Sequence, residues 1–362
     1  MKKFALFLPQ FHEIKENNEW WGDGFTEWTH VKNATPLYNG HDQPKIPLNS
    51  NYYNLLDKNT VINQTNLANE YGIDGFVYYH YYFCGKKIME KPAENLLKWK
   101  DIPQNFFFCW ANHTWYKAVD GKKRVLIEQT YGDASVWEEH FNYLLPFFKD
   151  KRYEKKDNKP LFMIFNTDFK EKKDIFNFFE KKCKENGFDG IYLIETYMGD
   201  CYNKDVQKYA NNTISQTEML YIREPAGALK LFYGKEYTLK WLIKRAIQFI
   251  MKKRAISDKS LVIKYKGTEL FRLMAQYEKF SITGKKIAHG LFFEWDNTPR
   301  HSSRGYIITP VDEASMRQYY ECIKNDEYVF INAWNEWAEG MVLEPTEKDG
   351  YRNLEMIKKI FD

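Results

Sequence analysis

The chain has 362 residues, of which 44% are hydrophobic and 28% charged, a composition typical of a globular protein rather than a disordered one. Its 53 basic and 49 acidic residues leave a net charge of only +4, and the basic residues are scattered, which argues against a nucleic-acid-binding surface. No apolar run approaches the roughly 18 residues of a membrane-spanning helix, so the sequence predicts no integral membrane segment. Aromatic residues reach 18%, which suits both a thick core and the ring platforms of sugar-binding clefts.

Short apolar runs alternate with longer amphipathic stretches along the chain. The predicted strands are Phe4–His12, Ile73–Phe83, Phe106–Asn112, Leu161–Asn166, Ile191–Tyr197, Ile287–Trp295 and Tyr328–Trp334, with Ile214–Met219 or Leu261–Tyr265 as an eighth. The predicted helices include Val61–Tyr71, Val136–Lys149, Lys170–Asn186 and Tyr237–Ala255. Continuously apolar strands are typical of parallel sheets that are buried on both faces. We therefore expect an α/β fold, a (β/α)8 TIM barrel formed by one domain over residues 1–362, with insertions in the βα loops.

Two segments allow a second interpretation. The opening MKKFALFLPQFH is similar to a signal peptide, but Pro9 and Gln10 break its apolar run, so a first core strand is the better prediction. Residues 221–284 are expected to form a helical insertion. Within it, residues 238–255 combine apolar and basic side chains, a pattern that suits a helix packed on the protein or one lying on a membrane surface. Peripheral membrane contact through this segment stays an alternative.

The sequence contains no motif for a metal or nucleotide cofactor. HExxH, GxSxG, P-loop, Asp-x-Asp and GxGxxG patterns are absent, so we expect neither a cofactor nor a metal. Histidine–carboxylate metal ligands among His12, His80 and His113 remain an alternative. The five cysteines show no CxxC spacing, which fits a reducing compartment and a cytoplasmic location.

Polar and aromatic residues follow nearly every predicted strand at its C-terminal end, where the active site of a barrel assembles. A lone His or Asn at such a position is commonly a loop-capping group, but the recurrence along the chain favours one convergent site. From these strand ends and the tryptophan-rich loops we predict the following substrate-binding residues: Gln10, His12, Trp21, Trp28, His80, Trp110, Asn112, His113, Glu195, Trp295, Asp296, Asn297, Arg300, Trp334, Asn335 and Trp337.

Glu336 and Glu339 follow the last predicted strand in the stretch NAWNEWAEG and are the predicted catalytic residues. Glycoside chemistry needs an acid for the leaving oxygen and a second carboxylate as base or nucleophile. Residues three apart on a helical turn have Cβ atoms about 5–6 Å apart, so both acids could reach one sugar. Trp334 and Trp337 are expected to supply an apolar surrounding that raises the pKa of the acid. The pair predicts a glycan-acting enzyme, with a non-catalytic glycan-binding barrel as an alternative.

Six blocks in chain order resemble the WbsX family, which comprises bacterial proteins labelled glycosyltransferases and also described as similar to glycoside hydrolase family 99. The blocks are FALFLPQFH, NEWWGDGFTEWTHV, YGIDGFVYYHYYF, FFFCWANHTW, WDNTPR and NAWNEWAEG. They run from Phe4 to about Gly340, so the resemblance covers nearly the whole chain. It implies a (β/α)8 barrel, the same fold that the strand pattern favours.

The resemblance also implies a role for each glutamate. In the related endo-α-mannosidases, the first glutamate of the matching motif deprotonates the sugar's own 2-hydroxyl, which attacks the anomeric carbon; the second acts as acid and then as base, with net retention. Glu336 would take the first role and Glu339 the second, whereas Ala338 replaces the motif's histidine and leaves the substrate open.

The function implied by this resemblance is cleavage or transfer of α-linked mannose-like or deoxysugar glycans in bacterial surface polysaccharide metabolism, such as that of O-antigen. A glycosyltransferase using nucleotide- or lipid-linked sugars is the alternative, and a glycan or glycoconjugate is the expected partner in either reaction.

Overall fold

The computed structural model describes residues 1–119, 122–197, 219–222, 243, 246–247, 250, 262–277 and 285–361. Eight parallel strands of the described residues belong to one sheet: β1 Lys2–Phe7, β2 Gly75–Phe83, β3 Phe106–Trp110, β4 Lys159–Ile164, β5 Tyr192–Tyr197, β6 Met219–Ile222, β7 Lys286–Leu291 and β8 Tyr328–Ile331. Each of these strands pairs with the next one along the chain, and β8 pairs with β1. The strands β1 to β8 therefore form a closed ring of pairings, which is called the ring below. The predicted α/β class is confirmed.

Helices connect many of these strands. They are α1 Lys15–Trp21, α2 Glu27–Lys32, α3 Lys58–Glu70, α4 Lys91–Lys98, α5 Ala134–Phe148, α6 Lys172–Glu185, α7 Gly267–Tyr277, α8 Thr298–His301, α9 Glu313–Ile323 and α10 Arg352–Phe361. Aspartate side chains fix three of the helix starts, because Asp57, Asp133 and Asp312 each accept a hydrogen bond from a backbone N–H of the first turn. The predicted helices at 61–71, 136–149 and 170–186 correspond to α3, α5 and α6.

Short strands lie outside the ring. Antiparallel pairs join Lys86–Ile88 to β2, Trp115–Val119 to Lys122–Ile127, Lys155–Lys156 to β4, and Asn335–Glu336 to Met341–Val342. A separate sheet contains Ile263–Tyr265, Tyr306–Ile308 and Trp295–Asp296. The alternative eighth strand at 261–265 is therefore wrong, because Ile263–Tyr265 pairs with Tyr306–Ile308 and not with the ring. The other alternative, 214–219, overlaps β6 only at Met219, and its residues 214–218 lie outside the described part of the chain.

Most of the predicted insertion at 221–284 also lies outside the described residues. Its described parts are the end of β6, the strand Ile263–Tyr265, the helix α7 and four residues between 243 and 250. Those four residues are exposed, Ile243 by 52% and Ile250 by 50%. Membrane contact through residues 238–255 therefore stays a prediction. None of the helices in the described ranges has the length and apolar character needed to cross a membrane.

Aromatic side chains fill the interior of the ring. The rings of Phe4 on β1 and Phe107 on β3 have centroids 5.2 Å apart, and those of Phe107 and Phe330 on β8 are 6.1 Å apart. Since β3 is a neighbour of neither β1 nor β8, these contacts cross the inside of the ring, as in a packed barrel core. The strand β1 is buried from residue 3 onward, which agrees with the interpretation of the first residues as a core strand.

Candidate active site

A cleft of about 240 Å³ lies at the carboxyl ends of the ring strands. Its lining comes from the ends of β1 to β4 and from the loops after β7 and β8: Leu8, Gln10, Tyr79, Tyr81, Ala111, His113, Trp115, Phe165, Arg300, Glu336 and Glu339. Five of the predicted site residues therefore meet here, although they are far apart in the sequence. They are Gln10, His113, Arg300, Glu336 and Glu339.

The Glu339 carboxylate is held by two side chains. Arg300 Nη1 donates a hydrogen bond of 2.6 Å to Glu339 Oε1, and Trp295 Nε1 donates one of 3.0 Å to Oε2. The second amino group of Arg300 pairs with Oε1 of the buried Glu27, on α2. Burial lowers the pKa of Arg300, but the carboxylates of Glu27, Glu339 and Glu336 outweigh it and raise that pKa. Arg300 thus stays charged and fixes Glu339 in the cleft.

A tight hairpin carries both glutamates. Glu336 ends its first strand and is 7% exposed, while a 3-10 turn, Trp337–Glu339, leads to Gly340. Gly340 has a φ of 63°, and a Cβ there would lie 3.1 Å from Asp296, so a larger residue is disfavoured. The hairpin brings two carboxylates three residues apart to one cleft without an α-helix.

Trp334 and Trp337 do not enclose the glutamate pair in the expected way. Both are buried, and their indole N–H groups donate to Glu344, at 3.0 and 2.7 Å. The hydroxyl of Tyr53 and the amide of Gln64 donate to the same carboxylate, each at 2.7 Å. Burial raises the pKa of Glu344 to about 7, although these four hydrogen bonds oppose the shift. Trp337 lies between Glu336 and Glu339, so Glu344 anchors the hairpin that carries them.

Three other predicted tryptophans are absent from the lining of the cleft. Trp28 and Trp110 are buried, and their indole N–H groups donate to the backbone carbonyls of Tyr53, at 2.8 Å, and of Tyr82, at 3.0 Å. Trp21 is 40% exposed, with Phe25 stacked against it and Lys117 Nζ 4.4 Å from its ring centroid. These contacts favour packing roles for all three.

The predicted asparagines connect backbone segments. The side chain of Asn112 pairs with the backbone N–H and C=O of Asn166, at 2.7 and 2.8 Å. Asn335 makes the same kind of pair with Leu8, at 2.7 and 3.1 Å, and Asn297 Oδ1 accepts a hydrogen bond of 2.7 Å from the backbone of Tyr306. All three hold loops in place at the face of the ring where the cleft opens.

Two predicted acidic residues are engaged elsewhere. Asp296 accepts hydrogen bonds of 2.8 Å from both His41 and Gln43, and its other oxygen caps the short helix α8. The fully buried Glu195 accepts a hydrogen bond of 2.7 Å from Lys172. Neither carboxylate is part of the lining of the cleft.

The other two predicted histidines, His80 and His12, are buried and are absent from the lining of the cleft. His80 Nε2 lies 2.8 Å from Nε2 of His140 on α5, so its ring faces the helical layer, and burial lowers its pKa to about 3. His12 is 1% exposed, and burial lowers its pKa as well. In the described part of the chain, no three His, Cys, Asp or Glu side chains gather in an arrangement that could hold a metal ion.

Glu27, Glu344 and the cleft-lining Tyr81 are among the residues that the sequence analysis did not predict. Glu27 belongs to a Glu-Trp pair of the sequence, which was the available signal, but the prediction kept only its tryptophan. Glu344 stands in the stretch LEP with no distinguishing pattern. Its importance appears only through the four donors that surround it.

Solved structures with the same fold include glycoside hydrolases. The family GH99 endo-α-mannosidase from Bacteroides thetaiotaomicron matches with a TM-score of 0.54 and 11% identity, covering 99% of this chain and 95% of that one. A glycoside hydrolase-like protein matches with a TM-score of 0.58 and 12% identity, covering 100% and 94%. At such low identity the likeness concerns the fold alone.

Sequence comparison finds relatives that are longer than this chain. The uncharacterized protein WxcX of Xanthomonas campestris pv. campestris, from two strains, is 29% identical over 372 aligned positions. The match covers 98% of this chain but 49% of WxcX, so the chain spans about half the length of these relatives. The family model described as glycosyltransferase WbsX matches residues 3–357. The chain belongs to the WbsX family.

Proposed function

We propose that the chain is a carbohydrate-active enzyme that cleaves or transfers α-linked sugars, with Glu336 and Glu339 as its catalytic carboxylates. The observation that carries the proposal is that both glutamates line one cleft, where Arg300 and Trp295 hold Glu339. The fold belongs to the same proposal: the closed ring of parallel strands with its helices is a (β/α)8 barrel in a single domain. Active sites of such barrels lie at the carboxyl ends of the strands, as this cleft does.

Five of the lining residues have a task in this proposal. Glu336, the more buried of the two acids, acts as base toward the sugar's 2-hydroxyl, and Glu339 protonates the leaving oxygen and then activates the acceptor. Gln10, Tyr81 and His113 offer hydrogen-bonding groups to other hydroxyls of the same sugar. The substrate class is a mannose-like or deoxysugar glycan of bacterial surface polysaccharide, which is supported by the family and by the fold shared with an endo-α-mannosidase.

The charge of the cleft favours a glycan over a nucleotide sugar. Among the described lining residues, Arg300 is the only arginine or lysine, and it is already paired with Glu27 and Glu339. A pyrophosphate would have to displace one of these carboxylates and approach Glu336 as well. Transfer to a glycan acceptor by the same carboxylates remains within the proposal. Use of a nucleotide-sugar donor is the alternative that the following screen tests.

The test is a screen of α-linked oligosaccharides and nucleotide sugars, with products and their anomeric configuration followed by NMR. We expect turnover of a glycan with retention, and a loss of at least about a thousandfold in Glu336→Gln and in Glu339→Gln. Glu347→Gln is the matched control, because Glu347 lies exposed just beyond the same hairpin. Unchanged turnover in either of the first two variants would remove that residue from the mechanism, and turnover of nucleotide sugars alone would favour the alternative donor.

A further inference from the structure

A second cavity adjoins the proposed active-site cleft. It has a volume of about 530 Å³ and opens among the loops that follow β3 and β4. His113 lines both this cavity and the cleft of Glu336 and Glu339, so the two spaces meet at its side chain. A ligand bound at the carboxylates could therefore extend past His113 without leaving the protein surface.

The lining of the second cavity combines aromatic rings with polar groups. Tyr116 is 50% exposed, and the rings of Tyr131 and Phe169 stack with centroids 4.1 Å apart and planes 9° apart. Gln129 adds an amide whose Oε1 is buried and accepts no hydrogen bond from any described residue. Sugars have apolar faces that stack on rings and hydroxyl edges that donate hydrogen bonds, so this combination suits a sugar unit.

The charge of the lining restricts the kind of sugar. Its described residues include no lysine or arginine, whereas the exposed carboxylate of Asp168 borders the space. A uronic acid, a phosphate or a sulfate would meet like charge there and find no cation to pair with. A neutral sugar would meet neither penalty.

We infer that this second cavity is a sugar-binding subsite for a neutral unit remote from the reacting bond, so that the substrate is an oligosaccharide or polysaccharide rather than a single glycoside. This inference rests on the proposed function, because the Glu336–Glu339 cleft must hold the reacting sugar. Binding energy from the remote unit would raise the affinity for longer chains.

The test measures binding by calorimetry for uncharged α-mannosides of one to four units, using Glu336→Gln protein to prevent turnover. We expect affinity to increase with length, and Tyr116→Ala to lower the affinity for the tetrasaccharide by about tenfold while leaving the methyl monosaccharide unaffected. Tyr351→Ala is the matched control, because Tyr351 is also exposed, by 39%, and stacks on Tyr71 away from the cavity.

A second comparison tests the charge argument. An analogue of the longest oligosaccharide with a terminal uronic acid should bind more weakly than the neutral chain, and Asp168→Asn should reduce that difference. Equal losses for short and long ligands in Tyr116→Ala, or no gain of affinity with length, would overturn the subsite. Either result would leave the proposed function intact if Glu336→Gln still abolishes turnover, whereas no binding of any member of the series would overturn both.

Discussion

Glu344 follows the hairpin that carries Glu336 and Glu339, and it accepts hydrogen bonds from Trp334, Trp337, Tyr53 and Gln64. Glu344→Ala would leave these buried donors without an acceptor, at about 1–3 kcal/mol for each unsatisfied group. We expect the free energy of unfolding in urea to fall by about 3 kcal/mol or more. An exposed neighbour gives the control, since Glu347→Ala should change it by less than about 0.5 kcal/mol. Equal effects of the two substitutions would contradict the anchoring role.

The same residue predicts a dependence of stability on pH. Burial raises the pKa of Glu344 to about 7 from a reference value of 4.5, so the folded protein binds more protons than the unfolded chain between these values. The stability that this group contributes is fully present below about pH 4.5 and is lost as the pH rises through 7. The glutamine of the Glu344→Gln variant cannot titrate, so this variant should lack the fall in the free energy of unfolding, which is on the order of 3 kcal/mol. Unfolding free energies at pH 5 and pH 8 measure it, and parallel curves for the two proteins would exclude this assignment.

At the scale of elements, the buried Arg152 holds the end of α4. This helix has only eight residues, and the carbonyl groups at its C-terminal end need partners from elsewhere. The guanidinium of Arg152 donates to the carbonyls of Leu96, Trp99 and Ile102, at 2.8, 2.9 and 2.8 Å, while Asp150 fixes its orientation. One planar cation thus replaces a helix cap and joins α4 to the segment before β4.

Lysine cannot reproduce these contacts, because it lacks the fork of five donors. We expect Arg152→Lys to lower the free energy of unfolding by about 2–4 kcal/mol and to increase hydrogen exchange in α4. Arg317→Lys on α9 is a suitable control: Arg317 is 46% exposed and pairs with Glu313 on the same helix. A loss below about 1 kcal/mol for Arg152→Lys would show that the carbonyl contacts contribute little.

The whole molecule depends on closure of the strand ring, which joins the two ends of the sequence. The β1–β8 pairing is extended by Asn335, whose buried side chain bonds both the N–H and the C=O of Leu8, 327 residues away. Asn335→Ala should lower the free energy of unfolding by about 2–3 kcal/mol, because two buried backbone groups lose their partners. Asn105→Ala, which removes one exposed bond to the Asp74 carbonyl, should lower it by less than about 1 kcal/mol. A similarly small loss of unfolding free energy in both variants would contradict the proposal that Asn335 stabilises the closure of the ring.

Much of the fold could be predicted from the sequence. Seven of the eight ring strands overlap the predicted apolar runs, because strands buried on both faces must be continuously apolar. The sixth strand was predicted only at its first residue, because Met219 alone of Met219–Ile222 lies in a predicted run. The competing run at 261–265 is also rich in apolar residues, but Ile263–Tyr265 pairs in a different sheet. Local hydrophobicity cannot distinguish these two partners.

The position of the carboxylate pair was also determined locally, since NEWAEG follows closely on a buried strand and so places both acids at the carboxyl end of the ring. Which polar residues accompany them was decided only by the tertiary structure. Both faces of a ring strand such as β2 are buried, so the alternation of side chains does not reveal whether a residue such as His80 faces the interior of the ring or the helices. The sequence also does not reveal which side chains pair with each other. Arg300 contacts both Glu339 and Glu27, which is 273 positions from Arg300, and only the closed ring brings these residues together.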